Sequence, residues 1–351
     1  MHRFLLLFAL YALAASPQVV AASADAAAIA SRASATERLR YVERDDVRAF
    51  IAEVGREHGL PVRDVERWLA AAKHQPKIIE LMSRPVLQPP KWHEYAPTFL
   101  TNARVDAGLA FWNLHVDALQ RAEAQTGVPA EVIVAIIGVE TWYGRYAGSH
   151  RVIDALATLA FDYPRRAAFF RGELKEYLLL ARDQGFSPLA PKGSFAGAMG
   201  LPQFMPGSYR RYAVDFDGSG SADLFGSPAD AIGSVANYLA RHDWQRAQPV
   251  LLPARIATHA FDTVLGRIEG GLSERRVASM WEADGVTAAA WPGTTGDEPL
   301  GLLVLEESPS ESSYWIACHN FFVITRYNRS RLYATAVWRL AQQVRAARLR
   351  S

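Results

Sequence analysis

The chain has 351 residues, with 38 Lys and Arg against 36 Asp and Glu and a formal net charge of +2. This balance argues against nucleic acid as a partner, because nucleic-acid binding usually demands a concentrated basic face. The single cysteine, Cys318, excludes an internal disulfide framework, so an apolar core must hold the fold. We expect Cys318 to be a buried apolar residue, since no Cys/His signature of a nucleophile surrounds it.

The first 22 residues are predicted to be a secretory signal peptide. Met1 to Arg3 forms a short basic start, and residues 4–14 form an apolar stretch too short to span a membrane as a mature helix. Small residues allow cleavage after Ala14 or after Ala22. Cys318 lies far from this region, so no covalent lipid anchor is predicted. We expect a soluble periplasmic protein and a monomer.

Helical patterns dominate the chain up to residue 247. Residues 23–44, rich in Ala and Ser and then charged, are predicted to be a flexible start. An N-terminal helical domain with a proline-rich linker is predicted for residues 45–97, with Asp46 capping its first helix and Gly59 ending it. A helical core is predicted for residues 98–247. Its expected helices cover residues 102–126, the segment ending near Glu140, 151–160, 164–184 and 224–244.

The pattern changes at Gln248, where short apolar runs alternate with Gly- and Pro-rich turns. Short runs bounded by turn residues favour strands. The final segment, residues 329–351, is predicted to be a helix that packs on the helical domain, because its apolar residues recur at helical spacing. The fold class predicted is mainly α with a small β-containing domain over residues 248–328. Strands are expected at residues 250–252, 300–305 and 314–325.

Glu140 ends an almost unbroken apolar run, residues 132–139, and is followed by Thr141-Trp142-Tyr143-Gly144. Pro129 suits the first turn of a helix, so Glu140 is expected near the C-terminus of a buried helix. Burial and the negative end of the helix dipole both disfavour the carboxylate, so we expect a raised pKa. A carboxyl that keeps its proton near neutral pH is what a general acid needs. The alternative is a solvent-exposed Glu, the usual fate of this residue type.

A carboxylate-rich loop occupies residues 215–223, with oxygen-bearing side chains at every second position and a glycine at the sixth. This is the spacing of an EF-hand calcium loop. Gly226 stands at the twelfth position, where a bidentate Glu is usual, so Asp230 is expected to supply the last carboxylate. We predict a weakly bound structural Ca²⁺ with the ligands Asp215, Asp217, Ser219, Ser221 and Asp230.

Two alternatives for this loop stay open. The segment could be a solvated Asp/Ser/Gly turn that binds no ion. Ser227 and Asp230 also fit a capping box for the next helix, in which backbone amides rather than a metal satisfy Asp230.

Ordered motifs surround Glu140 along the chain. Gly138-Val139-Glu140-Thr141-Trp142-Tyr143-Gly144-Arg145 is followed by residues 153–159, 163–166, 193–200, 203–206, 230–238 and 324–328. These segments resemble, in the same order, those of the membrane-bound lytic transglycosylase B family of peptidoglycan-cleaving enzymes (glycoside hydrolase family 103). The resemblance runs from about residue 45 to the C-terminus. Several ordered motifs over that length are much harder to meet by chance than any one of them.

The resemblance implies a lysozyme-like helical core with an accessory helical domain, a small β domain and one calcium loop. It also implies cleavage of the β-1,4 bond between N-acetylmuramic acid and N-acetylglucosamine without water, which closes a 1,6-anhydro ring on the muramyl product. Glu140 is then the general acid and afterwards the base. The residues that match positions lining the glycan cleft are Ser194, Met199, Gln203, Phe204, Tyr238, Asn320 and Tyr327. Arg165 and Arg166 match positions that meet the stem peptides.

The chain departs from the family's pattern in two places. The family's namesake is tethered through an N-terminal lipidated Cys, which this chain lacks. Ser219 stands in the loop where the family can have Asp, which implies weaker calcium binding. From residue type alone, core packing is the more frequent role for the apolar and aromatic residues among the matches, and loop hydrogen bonds for the polar ones.

Glu140 has no evident partner acid, although ordinary glycosidases need two carboxylates. Asp154 and Asp162 are nearest in sequence, but each flanks a helical segment where a cap or salt bridge is at least as frequent. One acid suffices if the substrate's 2-acetamido oxygen and 6-hydroxyl act as the nucleophiles. The competing hypotheses are a hydrolytic muramidase that uses a water and a second carboxylate, and a non-catalytic peptidoglycan-binding protein.

Overall fold

A computed structural model describes residues 41–84, 89–288, 291 and 298–351. By its contacts the chain divides into two units. Unit 1 comprises the described residues within Met1–Pro85, Arg145–Ala213 and Gly218–Ser227, and unit 2 those within Val86–Gly144, Val214–Asp217 and Pro228–Ser351. Both units are discontinuous in sequence. The contiguous domain boundaries expected above stay a prediction. The predicted signal peptide and most of the flexible start lie outside the described residues.

The described residues form mostly helices, with one six-stranded sheet and one two-stranded pair, as the composition and periodicity predicted in outline. The helices are α1 (Asp45–His58), α2 (Val62–Ala70), α3 (Pro76–Ser83), α4 (Trp92–Tyr95), α5 (Asn102–Leu114), α6 (Val116–Thr126), α7 (Ala130–Thr141), α8 (Val152–Asp162), α9 (Ala167–Asp183), α10 (Pro206–Tyr212), α11 (Pro228–Arg241), α12 (Phe261–Leu265), α13 (Ala278–Ala283), α14 (His319–Tyr327) and α15 (Arg331–Arg350). The strands are β1 (His150–Arg151), β2 (Lys192–Gly193), β3 (Leu251–Ile256), β4 (Ile268–Glu269), β5 (Leu272–Ser273), β6 (Val286–Ala288), β7 (Gly301–Ser308) and β8 (Glu311–Ala317).

Unit 1 is built around α8, whose residues from Val152 to Phe161 are all buried. A helix that is apolar all round must be covered on several sides. Helices α9 and α3 pack against α8, and α9 buries Leu174 and Tyr177. Strands β1 and β2 pair antiparallel beside this core.

The helical part of unit 2 is built around α7, where every residue from Ala130 to Val139 is buried. Helices α5, α6, α11 and α15 all pack on it. Full burial of a Val or Ile side chain contributes about 1.5–3 kcal/mol, so this helix is a main source of stability for the unit. The buried helix predicted from the apolar run is confirmed, and Glu140 lies in its last turn.

The sheet of unit 2 has six strands in the order β4-β5-β7-β8-β3-β6, and its pairs are antiparallel. Its core contains Trp281, Leu302, Ile316 and Cys318. Cys318 is 2% exposed and burial raises the pKa of its thiol to about 12, so the expectation of an inert, buried cysteine is confirmed.

Three local predictions are wrong. The strand expected over 314–325 stops at Ala317, and α14 follows, because the buried positions 320, 323 and 324 have helical rather than alternating spacing. The helix expected over 102–126 is broken at His115, which leaves helical geometry with φ −121° and ψ 29°. Asp46 does not cap α1, because the helix begins one residue earlier and Arg44 binds the Asp46 carboxylate. Gly59 does end α1, with φ 65°.

No single helix in the described part of the chain is long and apolar enough to cross a membrane. By length and composition only, α6 and α7 meet the requirement as a pair bent by 115°.

Candidate active site

The backbone turns sharply just after Glu140. Trp142 and Tyr143 both adopt left-handed conformations, with φ 52° and 58°. The Trp142 N–H donates to the Gly138 carbonyl at 3.0 Å, which closes the last turn of α7. Bulky residues in this conformation cost about 1–3 kcal/mol each and persist only where the surroundings enforce it. Such strain is frequent at active sites, and here it sits directly beside the candidate acid.

Two glycines make room for the Tyr143 ring. A Cβ at Gly138 would lie 2.5 Å from the Tyr143 Cζ, and a Cβ at Gly108 on α5 would overlap the Tyr143 hydroxyl. The ring also packs on Phe111, with centroids 5.5 Å apart. Tyr143 is therefore wedged between α5 and α7, and this packing holds the left-handed turn in place.

The carboxyl of Glu140 is partly buried and accepts a hydrogen bond of 2.6 Å from the Tyr333 hydroxyl on α15. Burial raises the pKa of Glu140 to about 8, and the hydrogen bond from Tyr333 opposes this rise. Glu140 is thus largely protonated at neutral pH. The raised pKa expected from the sequence is confirmed.

Three tyrosine rings line up beside this carboxyl in unit 2. The rings of Tyr238 and Tyr327 meet edge to face at 4.9 Å, and those of Tyr327 and Tyr333 stack at 6.4 Å. Burial first, and then the nearby Glu140 charge, raise the pKa of Tyr327 well above its usual value. The Tyr238 hydroxyl donates to the Arg326 carbonyl at 2.6 Å. The structure thus places Tyr327 beside Glu140, and Tyr238, which is 8% exposed, packs against Tyr327.

Tyr333 was missed by the sequence analysis. It lies 193 residues from Glu140, in a helix whose apolar spacing indicated only a buried face. A buried tyrosine at such a position carries no local signal of a partner. Only the packing of α15 on α7 reveals the contact.

No second carboxylate perturbs Glu140 among the residues that the structure describes, since burial and Tyr333 account for the shift of its pKa. The two acids nearest in sequence are engaged within unit 1. Asp154 forms an ion pair with Arg151 at 2.7 Å. Burial alone would raise the pKa of Asp162, but hydrogen bonds from His74 and Arg44 hold it below its usual value. The salt-bridge role weighed above for both acids is confirmed.

Four of the predicted glycan residues belong to a loop of unit 1. The Ser194 hydroxyl accepts two backbone N–H bonds, at 3.3 and 3.0 Å. Gln203 has a left-handed backbone, with φ 50°, and its amide donates to two loop carbonyls at 2.9 and 3.1 Å. Met199 and Phe204 pair through their backbones and are 0% and 2% exposed. Because both side chains are buried, the structure does not support the predicted contact of Met199 and Phe204 with glycan.

Asn320 does not fit the role predicted for it. Its side chain is fully buried, its Nδ2 donates to the Gln245 and Gln248 carbonyls, and its Oδ1 accepts from the Gln245 N–H. The side-chain amide thus bonds only to backbone groups, and Asn320 holds residues 245–248 in place just before β3. Its burial does not support the predicted place in a glycan cleft, which stays a prediction.

The arginine pair of unit 1 precedes α9. Arg165 is exposed, and the Arg166 guanidinium lies 4.3 Å from the centre of the Phe169 ring, which is 41% exposed. Stacking on a ring leaves the edge of a guanidinium available for hydrogen bonds. Binding of stem peptides by this pair stays a prediction.

The acidic loop brings together three of its five predicted ligands. Carboxylate oxygens of Asp215, Asp217 and Asp230 lie within 4.8 Å of one another. Gly220, at the sixth loop position, has φ 102°, as the sharp turn of such a loop requires. Ser219 belongs to unit 1 and donates to the Ser221 carbonyl at 3.3 Å.

Asp230 is fully buried, and its Oδ1 accepts the N–H groups of Phe216 and Asp217 at 2.7 and 3.0 Å. The backbone amides that satisfy this oxygen therefore belong to the loop. A cluster of three carboxylates suits a hard cation such as Ca²⁺, which prefers oxygen ligands. The residues present thus fit the predicted ion.

Tyr333→Phe is expected to move the pH profile of the enzyme. The Tyr333 hydrogen bond lowers the pKa of Glu140, so its removal should raise that pKa further and shift the alkaline limb of the rate profile to higher pH. Loss of one charge-assisted bond should also slow the step in which the carboxylate forms, by roughly tenfold. Initial rates of the cleavage that the resemblance implies, taken between pH 5 and 10, measure both effects.

A matched control for this substitution is Tyr146→Phe, since Tyr146 is 42% exposed in unit 1. Its profile should coincide with that of the parent. An unmoved alkaline limb in Tyr333→Phe would contradict the assignment of that limb to Glu140.

The chain is similar to known proteins over most of its length. Residues 43–342 match the model of the transglycosylase SLT domain family. The chain is 41% identical over 324 residues to membrane-bound lytic murein transglycosylase B of Escherichia coli (strain K12), covering 88% of this chain and 85% of that protein.

Solved structures of similar proteins have the same fold. The soluble lytic transglycosylase SltB1 from Pseudomonas aeruginosa is 42% identical, with a TM-score of 0.80 over 88% of this chain and 99% of that one. The Escherichia coli lytic transglycosylase Slt35 in complex with calcium is 41% identical, with a TM-score of 0.79 over 90% and 95%. SltB3 from Pseudomonas aeruginosa in complex with NAG-NAM-pentapeptide is 33% identical, with a TM-score of 0.73 over 85% and 78%.

Proposed function

The chain belongs to the transglycosylase SLT family, has the lysozyme-like fold of these enzymes and is a lytic murein transglycosylase, and from this premise we propose that Glu140 performs both proton transfers of peptidoglycan cleavage. One observation carries the proposal. Glu140 has a pKa of about 8, and among the described residues no second carboxylate contributes to that value. A protonated acid without a partner carboxylate suits a cut in which the substrate supplies its own nucleophile.

In the first step, Glu140 donates its proton to the glycosidic oxygen between N-acetylmuramic acid and N-acetylglucosamine. The bond from that oxygen to the muramyl C1 breaks, and the leaving sugar takes up the proton as a hydroxyl. The positive charge that develops at C1 is neutralised by the 2-acetamido oxygen of the same sugar. Glu140 is now a carboxylate, and the Tyr333 hydroxyl at 2.6 Å stabilises that form.

In the second step, the 6-hydroxyl of the muramyl residue attacks C1 and displaces the acetamido oxygen. The Glu140 carboxylate removes the hydroxyl proton, which restores the acid for the next cycle. The product is a 1,6-anhydromuramyl sugar, and no water enters the reaction. A raised pKa near 8 serves both steps, because Glu140 begins protonated at neutral pH and its carboxylate is then basic enough to take up a proton again.

The mass of the reaction products tests this proposal. Purified peptidoglycan is digested with the enzyme, and the muramyl ends are identified by mass spectrometry. We expect anhydromuramyl ends, one water lighter than reducing ends. Reducing muramyl ends as the main product would instead indicate the hydrolytic muramidase, and the single-acid mechanism would then be wrong.

The substrate contacts extend the proposal. Tyr238 and Tyr327 present aromatic rings beside Glu140, and such rings suit the apolar faces of sugars. We expect Ser194 and Gln203 to contact acetamido groups. Arg165 and Arg166 are suited to the carboxylates of stem peptides, which guanidinium groups bind through two parallel hydrogen bonds. Residence in the periplasm, the absence of a lipid anchor and a monomeric state remain predictions from the sequence.

A structural Ca²⁺ held by Asp215, Asp217 and Asp230 is part of the proposal, with Ser219 and Ser221 as the further predicted ligands. The ion would neutralise the clustered carboxylates and stiffen the loop that leads into α11. The structure of Slt35 in complex with calcium supports this assignment.

Millimolar Ca²⁺ is therefore expected to raise the melting temperature of the protein by a few degrees. Asp215→Ala should abolish that rise, because it removes one carboxylate from the cluster. Asp45→Ala is the matched control, since its side chain is fully exposed on α1, and it should respond to the ion as the parent does. A parent protein whose melting temperature ignores Ca²⁺, with chelator-treated samples as reference, would refute the site.

A further inference from the structure

Arg104 on α5 is a buried cation with no carboxylate partner among the described residues. It is only 6% exposed, and burial lowers its pKa. Its Nε also lacks a hydrogen-bond partner within the described part of the chain. Burying an unpaired charge costs several kcal/mol, on the order of the net stability of a domain. The contacts of Arg104 must therefore offset the cost of its burial.

The contacts of Arg104 lie on both sides of the catalytic residue. Its Nη1 donates to the Gly138 carbonyl at 2.6 Å, and its guanidinium lies 4.5 Å from the centre of the Trp142 ring. Gly138 and Trp142 precede and follow Glu140 by two residues each. One side chain therefore holds the backbone before Glu140 and the ring after it.

The opposite side of the guanidinium is anchored to a different segment. Nη2 donates to the Thr98 carbonyl at 3.3 Å, and the guanidinium lies 5.3 Å from the centre of the Phe99 ring. Arg104 thus ties the end of α7 to the segment that leads into α5. Lysine could not reproduce these contacts, because they need a planar group that stacks on rings and donates in two directions.

The contacts of Arg104 oppose the backbone strain in the turn after Glu140. A cation that binds the last carbonyls of a helix stabilises that end, and most strongly where it is partly buried. The left-handed Trp142 and Tyr143 store backbone strain in the turn that follows this helix end. Without an opposing contact, the turn would relax and move Glu140.

We propose that Arg104 is a positioning residue for the reaction, which holds Glu140 in place by fixing Gly138 on one side and Trp142 on the other. This inference rests on the proposed function of Glu140. Arg104 does not touch the carboxyl and acts only through the backbone and the ring beside it.

Steady-state kinetics of Arg104→Met and Arg104→Lys on soluble glycan fragments test the proposal. Displacement of a reacting group by about 1 Å can cost a hundredfold in rate, so kcat should fall roughly 10- to 100-fold while KM changes less than about threefold. A loosened turn admits water to Glu140, so its pKa should fall and the alkaline limb of the kcat profile should move to lower pH. A purely structural role would lower the melting temperature without moving that limb.

Arg345→Met is the matched control. Arg345 is 57% exposed and pairs with Glu131 at the first turn of the same helix α7, far along the helix from Glu140. It should leave kcat and the alkaline limb as in the parent. If Arg104→Met does not fold, Arg104→Lys and Trp142→Leu decide, because each removes part of the same contact and both should show the shifted limb.

Parental kcat and an unmoved alkaline limb in the folded Arg104 variants would overturn the inference. Failure of the proposed function gives a different result. Reducing muramyl ends from the parent enzyme would overturn the anhydro-forming mechanism, while slowed Arg104 variants with a shifted limb would still support positioning of Glu140.

Discussion

Glu140→Gln is expected to lower the rate of peptidoglycan cleavage by about 10²- to 10⁴-fold, the range that general acid–base catalysis contributes. The amide keeps the shape of the carboxyl and can still accept the Tyr333 hydrogen bond, but it can neither donate the proton of the first step nor accept that of the second. Release of soluble muropeptides from purified sacculi measures the rate. Glu80→Gln on α3 is the matched control, because its side chain is 66% exposed, and it should cleave at the parental rate.

A stability measurement distinguishes loss of catalysis from loss of folding in Glu140→Gln. The folded-state pKa of Glu140 is raised, so its contribution to stability is fully present below pH 4.5 and is lost as the pH rises through about 8. Glu140→Gln does not titrate and escapes that loss. Its melting temperature should therefore exceed that of the parent by a margin that grows from pH 5 to pH 9. A variant that releases muropeptides at the parental rate would refute the catalytic role of Glu140.

Gly138→Ala is expected to lower both stability and activity, although alanine is the better helix former by about 1 kcal/mol. The new Cβ would lie 2.5 Å from Cζ of the rigid Tyr143 ring, which already packs closely against Gly108 and Phe111 of α5. Such overpacking typically costs about 1–3 kcal/mol and outweighs the gain in helix propensity. The displaced ring pulls on the turn beside Glu140, so we expect cleavage to slow by more than tenfold.

Gly172→Ala on α9 is the matched control for this substitution. A Cβ there has open space around it, so the same change should stabilise the protein slightly and leave the rate unchanged. Melting temperatures and cleavage rates of the two variants are compared side by side. Equal, stabilising shifts in both would show that the Tyr143 packing does not constrain this turn.

Where the determinants are local, the sequence alone was sufficient. Eight successive apolar residues can only be a buried element, and the acid that ends them must lie at its edge, so the raised pKa of Glu140 follows from neighbours in the chain. The acidic loop is equally local. Its alternating oxygens and the glycine with φ 102° at position 220 lie within one short segment.

Local patterns failed where a strand and a helix are equally apolar in sequence. The apolar run after Tyr314 contains both the end of β8 and the start of α14, and apolar content does not distinguish strand from helix. Asn320 shows the same limit for a single residue. Its match to a motif said nothing about the backbone groups that enclose it.

Only the tertiary structure determined which residues fix the turn beside Glu140 and which of them affects its pKa. Tyr333, which opposes the rise in its pKa, lies 193 residues away, and Arg104, which fixes the turn, lies on another helix. These contacts depend on side chains that meet only when α5, α7 and α15 pack together. The chain's local pattern thus determined that an acid sits at the end of a buried helix, whereas long-range packing determined its partners, because hydrogen bonds and ring contacts require proximity in space rather than in sequence.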